Sequence, residues 1–167
     1  MLIYHPAFDV NHGMFRLLRL LEMNPQHALK WDAYRILDLY YLFPDLLGDA
    51  RLPRNMTTRK RAFSKMKSKY SRVPSPSMFI QQMSGIHELI GRSLAAKGFL
   101  SPSQFESKVL SRTDLPIPKV LNDTIHASYA DEELVALLAV DLAALPLTGI
   151  GGLKERTGLL EHRYDAV

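Results

Sequence analysis

Apolar residues recur along this chain at spacings of three and four, and strict alternation is scarce, so the pattern predicts helices almost throughout. Asp9 or Asn11 can cap a first helix running to about Met23. Its stripe of Met14, Leu17, Leu18 and Leu21 leaves Arg16, Arg19 and Glu22 facing water. Asn24-Pro25 restarts the chain, and a second helix from Gln26 to about Phe43 buries Leu29, Ala33, Ile36, Leu37 and Tyr40. Lys30, Asp32, Arg35 and Asp38 fall on its outer side. So short a connection lays the two helices side by side as a hairpin, which Leu46 and Leu47 close before Gly48 and Pro53 break the chain.

Thr57 or Thr58 can cap a third helix reaching Tyr70, with Ala62, Phe63, Met66 and Tyr70 on one stripe. Ser75-Pro76 starts another, whose Phe79, Met83, Ile86, Ile90 and Leu94 keep helical period for four turns until Lys97-Gly98-Phe99. Ser101-Pro102-Ser103-Gln104 fits a capping box and opens a shorter helix through about Ser111. Thr113 to Ile125, with Pro116 and Pro118, reads as loop with room for a short strand. Ser128 to Asp131 begins a helix that Pro146 stops after Leu145. Gly149, Gly151 and Gly152 then form a flexible joint before an amphipathic segment from Leu153 to His162. The expected fold is mainly α, a compact multi-helix domain. Residues 1–72 form a hairpin plus a basic helix, and residues 73–167 form a second helical module sharing one core with it. The helix, the turn through Gly98-Phe99-Leu100, the capped helix and the proline-rich segment also suit a winged-helix-like module. The stretch Leu134 to Leu145 is apolar nearly all round, which marks either the most buried helix or a docking surface.

Charge changes this picture at one place. Residues Arg51 to Arg72 hold nine Lys/Arg and no Asp or Glu. The whole chain has 21 basic and 17 acidic residues, so the remainder holds 12 against 17, a balance of −5. The excess positive charge is therefore local. It points to a polyanionic surface such as DNA, RNA or an acidic protein patch, with double-stranded DNA as a candidate partner. Arg61, Lys65, Lys69 and Arg72 follow at spacings of four, four and three, one edge of a helix, and Arg59, Lys60 and Lys67 add to it. Like charges so placed repel, and a partner supplies the missing counter-charge. The competing reading is a solvated surface. Phe63 and Tyr70 sit on the inward stripe, which favours core packing over base stacking.

Other chemistry is thin. The absence of cysteine excludes disulfides and thiolate metal sites and suits a reducing cytosol. The opening MLIYHPAFDV has neither the basic start nor the apolar core of a signal peptide. The apolar run Leu134 to Leu147, interrupted by Asp141 and Pro146, falls short of the roughly 20 residues that span a bilayer, so a cytoplasmic protein without a membrane partner is expected. His5, Asp9 and His12 include metal-ligand types, but with Pro6 between them and no third histidine nearby, capping or packing is the better expectation. Gly149 to Lys154 lacks the spacing of a phosphate-binding loop. Asp131, Glu132 and Glu133 suit the first turn of a helix. Ser64, Ser84, His87, His126 and His162 form no nucleophile pair that sequence can place together. Neither a catalytic centre nor a cofactor is expected.

The first fifty residues carry a further pattern. Tyr4-His5-Pro6, Asp9-Val10-Asn11-His12 leading into Phe15-Arg16-Leu17-Leu18, Arg35-Ile36-Leu37-Asp38 and Tyr41-Leu42-Phe43-Pro44 together resemble the middle component of bacterial ABC-three-component conflict systems. That group includes Lamassu-type anti-phage defence. The resemblance implies an accessory adaptor without its own catalytic centre, set beside an ATPase like the structural-maintenance-of-chromosomes proteins and an effector, often a nuclease. The alternative is a free-standing, dimeric DNA-binding transcriptional regulator reading a palindromic site. A third is an enzyme with a metal centre near His5 and His12.

Overall fold

The computed structural model describes residues 5–66, 73, 75–126 and 132–161. Helix α1 (Val10–Met23) is capped by the Asp9 carboxylate, which accepts from the His12 N–H at 3.0 Å. The second helix does not begin at Gln26. The Asn24 side chain accepts from the Gln26 and Ala28 N–H groups and holds a turn there, with His27 at φ +49°. The chain then enters a short strand, β1 (Ala28–Lys30), and only afterwards α2 (Trp31–Leu42). Periodicity alone could not separate strand from helix over three residues.

Strand β1 pairs antiparallel with β2 (Val109–Ser111), Leu29 opposite Leu110. The capped helix α6 (Pro102–Glu106) therefore ends before Ser111, where Lys108 turns the chain at φ +61°. Helix α7 (Lys119–His126) occupies what reads as loop, because Pro118 starts it by accepting from the Asn122 N–H. The long helix expected after Ser75 bends once, at Met83, giving α4 (Pro76–Gln82) and α5 (Ser84–Ala96). The Ser84-Gly85 pair there makes a bend inexpensive. Helix α3 (Thr57–Ser64) ends in a turn at Lys65 and Met66, and the rest of its expected length lies outside the described residues.

Helix α8 (Glu132–Ala136) continues into a π-helical segment, Leu137–Leu142, in which the Ala143 N–H reaches back five residues to the Leu138 carbonyl. Asn24 Nδ2 donates to the Ala139 carbonyl in its middle, at 2.7 Å. Leu134, Val135, Leu137, Leu138, Ala139 and Leu142 are all buried, so this apolar run is core. A last helix, α9 (Leu153–Thr157), ends at Gly158.

One cluster of buried apolar side chains runs through both halves, from Leu17, Leu20, Ile36 and Leu37 to Ile90, Leu138 and Leu153. Burying each such side chain is worth about 1.5–3 kcal/mol. Helix α1 lies so close to α5 that a Cβ on Gly13 would overlap the Ile90 side chain. Crowded in this way, α1 has no water-facing side over its middle: residues 16 to 21 are buried without interruption. Arg16 and Arg19 are therefore inside, as are Arg35 and Asp38 of α2, against the expectation that all four face solvent.

Candidate functional site

The basic segment enters the fold through a 3-10 turn, Pro44–Asp49, packed against α3. Met56 and Phe63 are buried and anchor α3 from below. This leaves the cations along its outer edge, but they are not equivalent. Arg59 donates to Asp141 of the π segment at 2.7 Å, and that carboxylate holds the guanidinium above its ordinary value. Lys60 donates to the Ala50 carbonyl at 2.5 Å. Arg61 and Lys65 are exposed and have no side-chain partner among the described residues. The structure thus spends two of the predicted site residues on tying α3 down and presents two outward. Lys67, Lys69 and Arg72 lie outside the described residues.

Beside this edge lies the glycine run. Expected to be a joint, it is a closed turn. The Leu153 and Lys154 N–H groups donate back to the Pro146 and Leu147 carbonyls, and the Gly152 N–H donates to the Gly149 carbonyl. Glu155 Oε2 accepts from the Gly151 N–H. Arg156 donates from Nε to the Gly151 carbonyl at 2.6 Å and from Nη1 to the Arg51 carbonyl at 2.8 Å. Arg51 in turn donates its backbone N–H to the Arg156 carbonyl and its guanidinium to the Glu155 carbonyl. The turn and the start of the basic segment are therefore stapled together. Sequence reading missed this because the two arginines are 105 residues apart.

A second charged group lies inside. Asp38 is fully buried and accepts from Arg16 through both oxygens, at 2.6 and 3.1 Å, while His87 Nε2 lies 3.0 Å from Oδ2. Burial alone would push the Asp38 carboxyl up. The Arg16 charge and the His87 hydrogen bond outweigh it and hold the group well below the usual carboxylate range. Burial likewise works against the Arg16 charge, and Asp38 more than restores it. Tyr34, 5.1 Å from the His87 ring, has its hydroxyl pushed well up by burial and then by Asp38. A carboxylate, an imidazole and a phenol are thus gathered, but all are sealed from solvent. Their effect is to clamp α1, α2 and α5. The signal was available: Arg16 and Asp38 are opposite charges on two helices expected to pair.

His5 and Asp9 cap two successive starts, the 3-10 turn Pro6–Phe8 and α1. His5 Nδ1 accepts from the Ala7 N–H at 3.1 Å, and Asp9 caps α1. Among the described residues no three histidine or carboxylate groups stand where they could hold a metal. No helix among them is long and apolar enough to cross a membrane.

A family model described as middle component 5 of the ABC-three-component (ABC-3C) system matches residues 2–165. No curated protein and no solved structure matches the chain.

Proposed function

We propose, from the premise that the chain belongs to the ABC-three-component system middle component 5 family, that it is a non-catalytic adaptor in an anti-phage conflict system. It bridges an ATPase like the structural-maintenance-of-chromosomes proteins and an effector. The observation that carries this reading is the family match across nearly the whole chain. The distribution of charge supports it. The interior ionisable groups Arg16, Asp38 and His87 close on one another, while Arg61 and Lys65 are held outward on an anchored helix. Arg61 and Lys65 meet a polyanion, DNA or an acidic partner face, joined in that role by the cations that follow in sequence, Lys67, Lys69 and Arg72, while Arg59 and Lys60 anchor the helix. Partners bind opposite surfaces of the protein, and DNA or nucleotide state changes which complex is favoured.

The adaptor reading predicts that the protein co-purifies with the ATPase component at matched expression, and a clean failure to associate removes it. The polyanion surface is tested by titrating duplex DNA at several salt concentrations against wild type and an Arg61→Glu/Lys65→Glu/Lys69→Glu variant. Steep salt dependence lost in the variant identifies phosphate contact. Absence of binding by both proteins assigns the cations to an acidic protein face.

A further inference from the structure

We infer that the Gly149–Gly152 turn is a docking knob whose Ile150 side chain enters an apolar pocket, rimmed by carboxylates, on another protein component of the system. The inference rests on the adaptor reading and deepens it by naming a contact and the chemistry of its partner. Ile150 is 100% exposed, more than any other large apolar side chain described. A single exposed isoleucine is ordinary. What sets this one apart is the construction beneath it.

Gly149 and Gly151 both stand at positive φ, +84° and +73°, and carry Ile150 between them at the tip. The turn is closed by the Gly152–Gly149 backbone bond, by Glu155 on the Gly151 N–H and by Arg156 on the Gly151 carbonyl. The Arg156 guanidinium packs 3.2 Å from where a Cβ on Gly151 would lie. A side chain held out on a turn already closed loses little conformational freedom on docking, which is how interface anchors gain affinity.

Charge complementarity identifies the occupant. Arg156 forks between Gly151 and Arg51, so the turn lies against the start of the basic segment, where Arg51 and Arg54 are exposed. The Glu155 carboxylate is bonded into the turn, engaged by the Gly151 N–H. An apolar projection with a cationic flank is matched by an apolar pocket with an acidic rim. Duplex DNA would use the two arginines, but its phosphates have no use for an isoleucine, so a protein is the favoured occupant.

The test uses the full chain and the other two components of the system, purified separately, with binding measured for wild type, Ile150→Ser and Arg54→Glu. Both side chains point into solvent, so the variants should melt as wild type does. Loss of an isoleucine from an apolar pocket should weaken binding to one component about tenfold to a hundredfold in Ile150→Ser. Arg54→Glu should slow association and flatten its salt dependence. If wild type binds a component and Ile150→Ser binds equally well, the knob is overturned and the adaptor reading stands. If wild type binds neither component, both fall. If Ile150→Ser weakens only binding to a duplex DNA probe, the occupant is nucleic acid and the proposed protein pocket is wrong.

Discussion

Asp38 carries both carboxylate oxygens into the centre of the protein and finds donors for each, whereas Arg61 and Lys65 leave the end of α3 with no side-chain partner among the described residues. The two regions answer different demands. A buried charge left alone costs several kcal/mol, roughly 3–5 when one partner of a pair is removed, so the inner group must be complete before the fold is stable. A surface cation is already solvated and needs nothing from the fold. The inner cluster tells how the helices are held; the outer pair tells what remains available to a partner.

Breaking the inner region should have the largest effect. Asp38→Asn leaves the buried Arg16 guanidinium without its counter-charge and should lower the unfolding free energy by about 3–5 kcal/mol in a denaturant titration. The same variant sharpens the comparison through pH. Because the Asp38 carboxyl is held below its unfolded value, its stabilisation is complete above that value, about pH 3.9, and is lost as pH falls below it. The gap between wild type and Asp38→Asn should therefore be constant near neutrality and narrow as the solution is acidified past about pH 4.

Arg59 stands between the two regions, since it is basic and on the outer edge yet paired to Asp141. The pair is about a third exposed, so Arg59→Ala should cost no more than about 1 kcal/mol, read as a small shift in melting temperature. The smallest stability effect belongs to Arg61→Glu/Lys65→Glu, within about 0.5 kcal/mol of wild type. A large loss of stability there would show that these two cations also serve the fold, and the distinction between the regions would fail.

How much of this could be read from the chain depends on what each residue's neighbours are. The caps at Asp9, Ser75 and Ser101 and the helix end at Gly98 were legible because each is decided within a few residues. The stripe of α1 was legible as well, but the burial of Arg16 and Arg19 was not. Helical period shows which residues share a face, and it cannot show that a helix is covered on every face. The β1–β2 ribbon escaped for a related reason: strands of three residues have no measurable period, and their partners lie some eighty residues apart. Of the candidate surface, the cluster of cations was plain in the composition. The division into tethered Arg59 and Lys60 and outward Arg61 and Lys65 depends on Asp141 and Ala50, which only folding brings near.

The π segment at Leu137–Leu142 also governs the phase of everything after it. Each residue of an α-helix advances the chain by about 100° around the axis. Were the segment wound as an ordinary α-helix with no residue removed, the residue that the wide turn absorbs would instead rotate the downstream chain by about that angle. Asp141 would swing away from Arg59, and the closed turn bearing Ile150 would leave its place against Arg51. A chain lacking the absorbed residue and wound as α throughout would keep its downstream face in place, so the winding of this one turn, more than its length, sets where Asp141 and Ile150 stand.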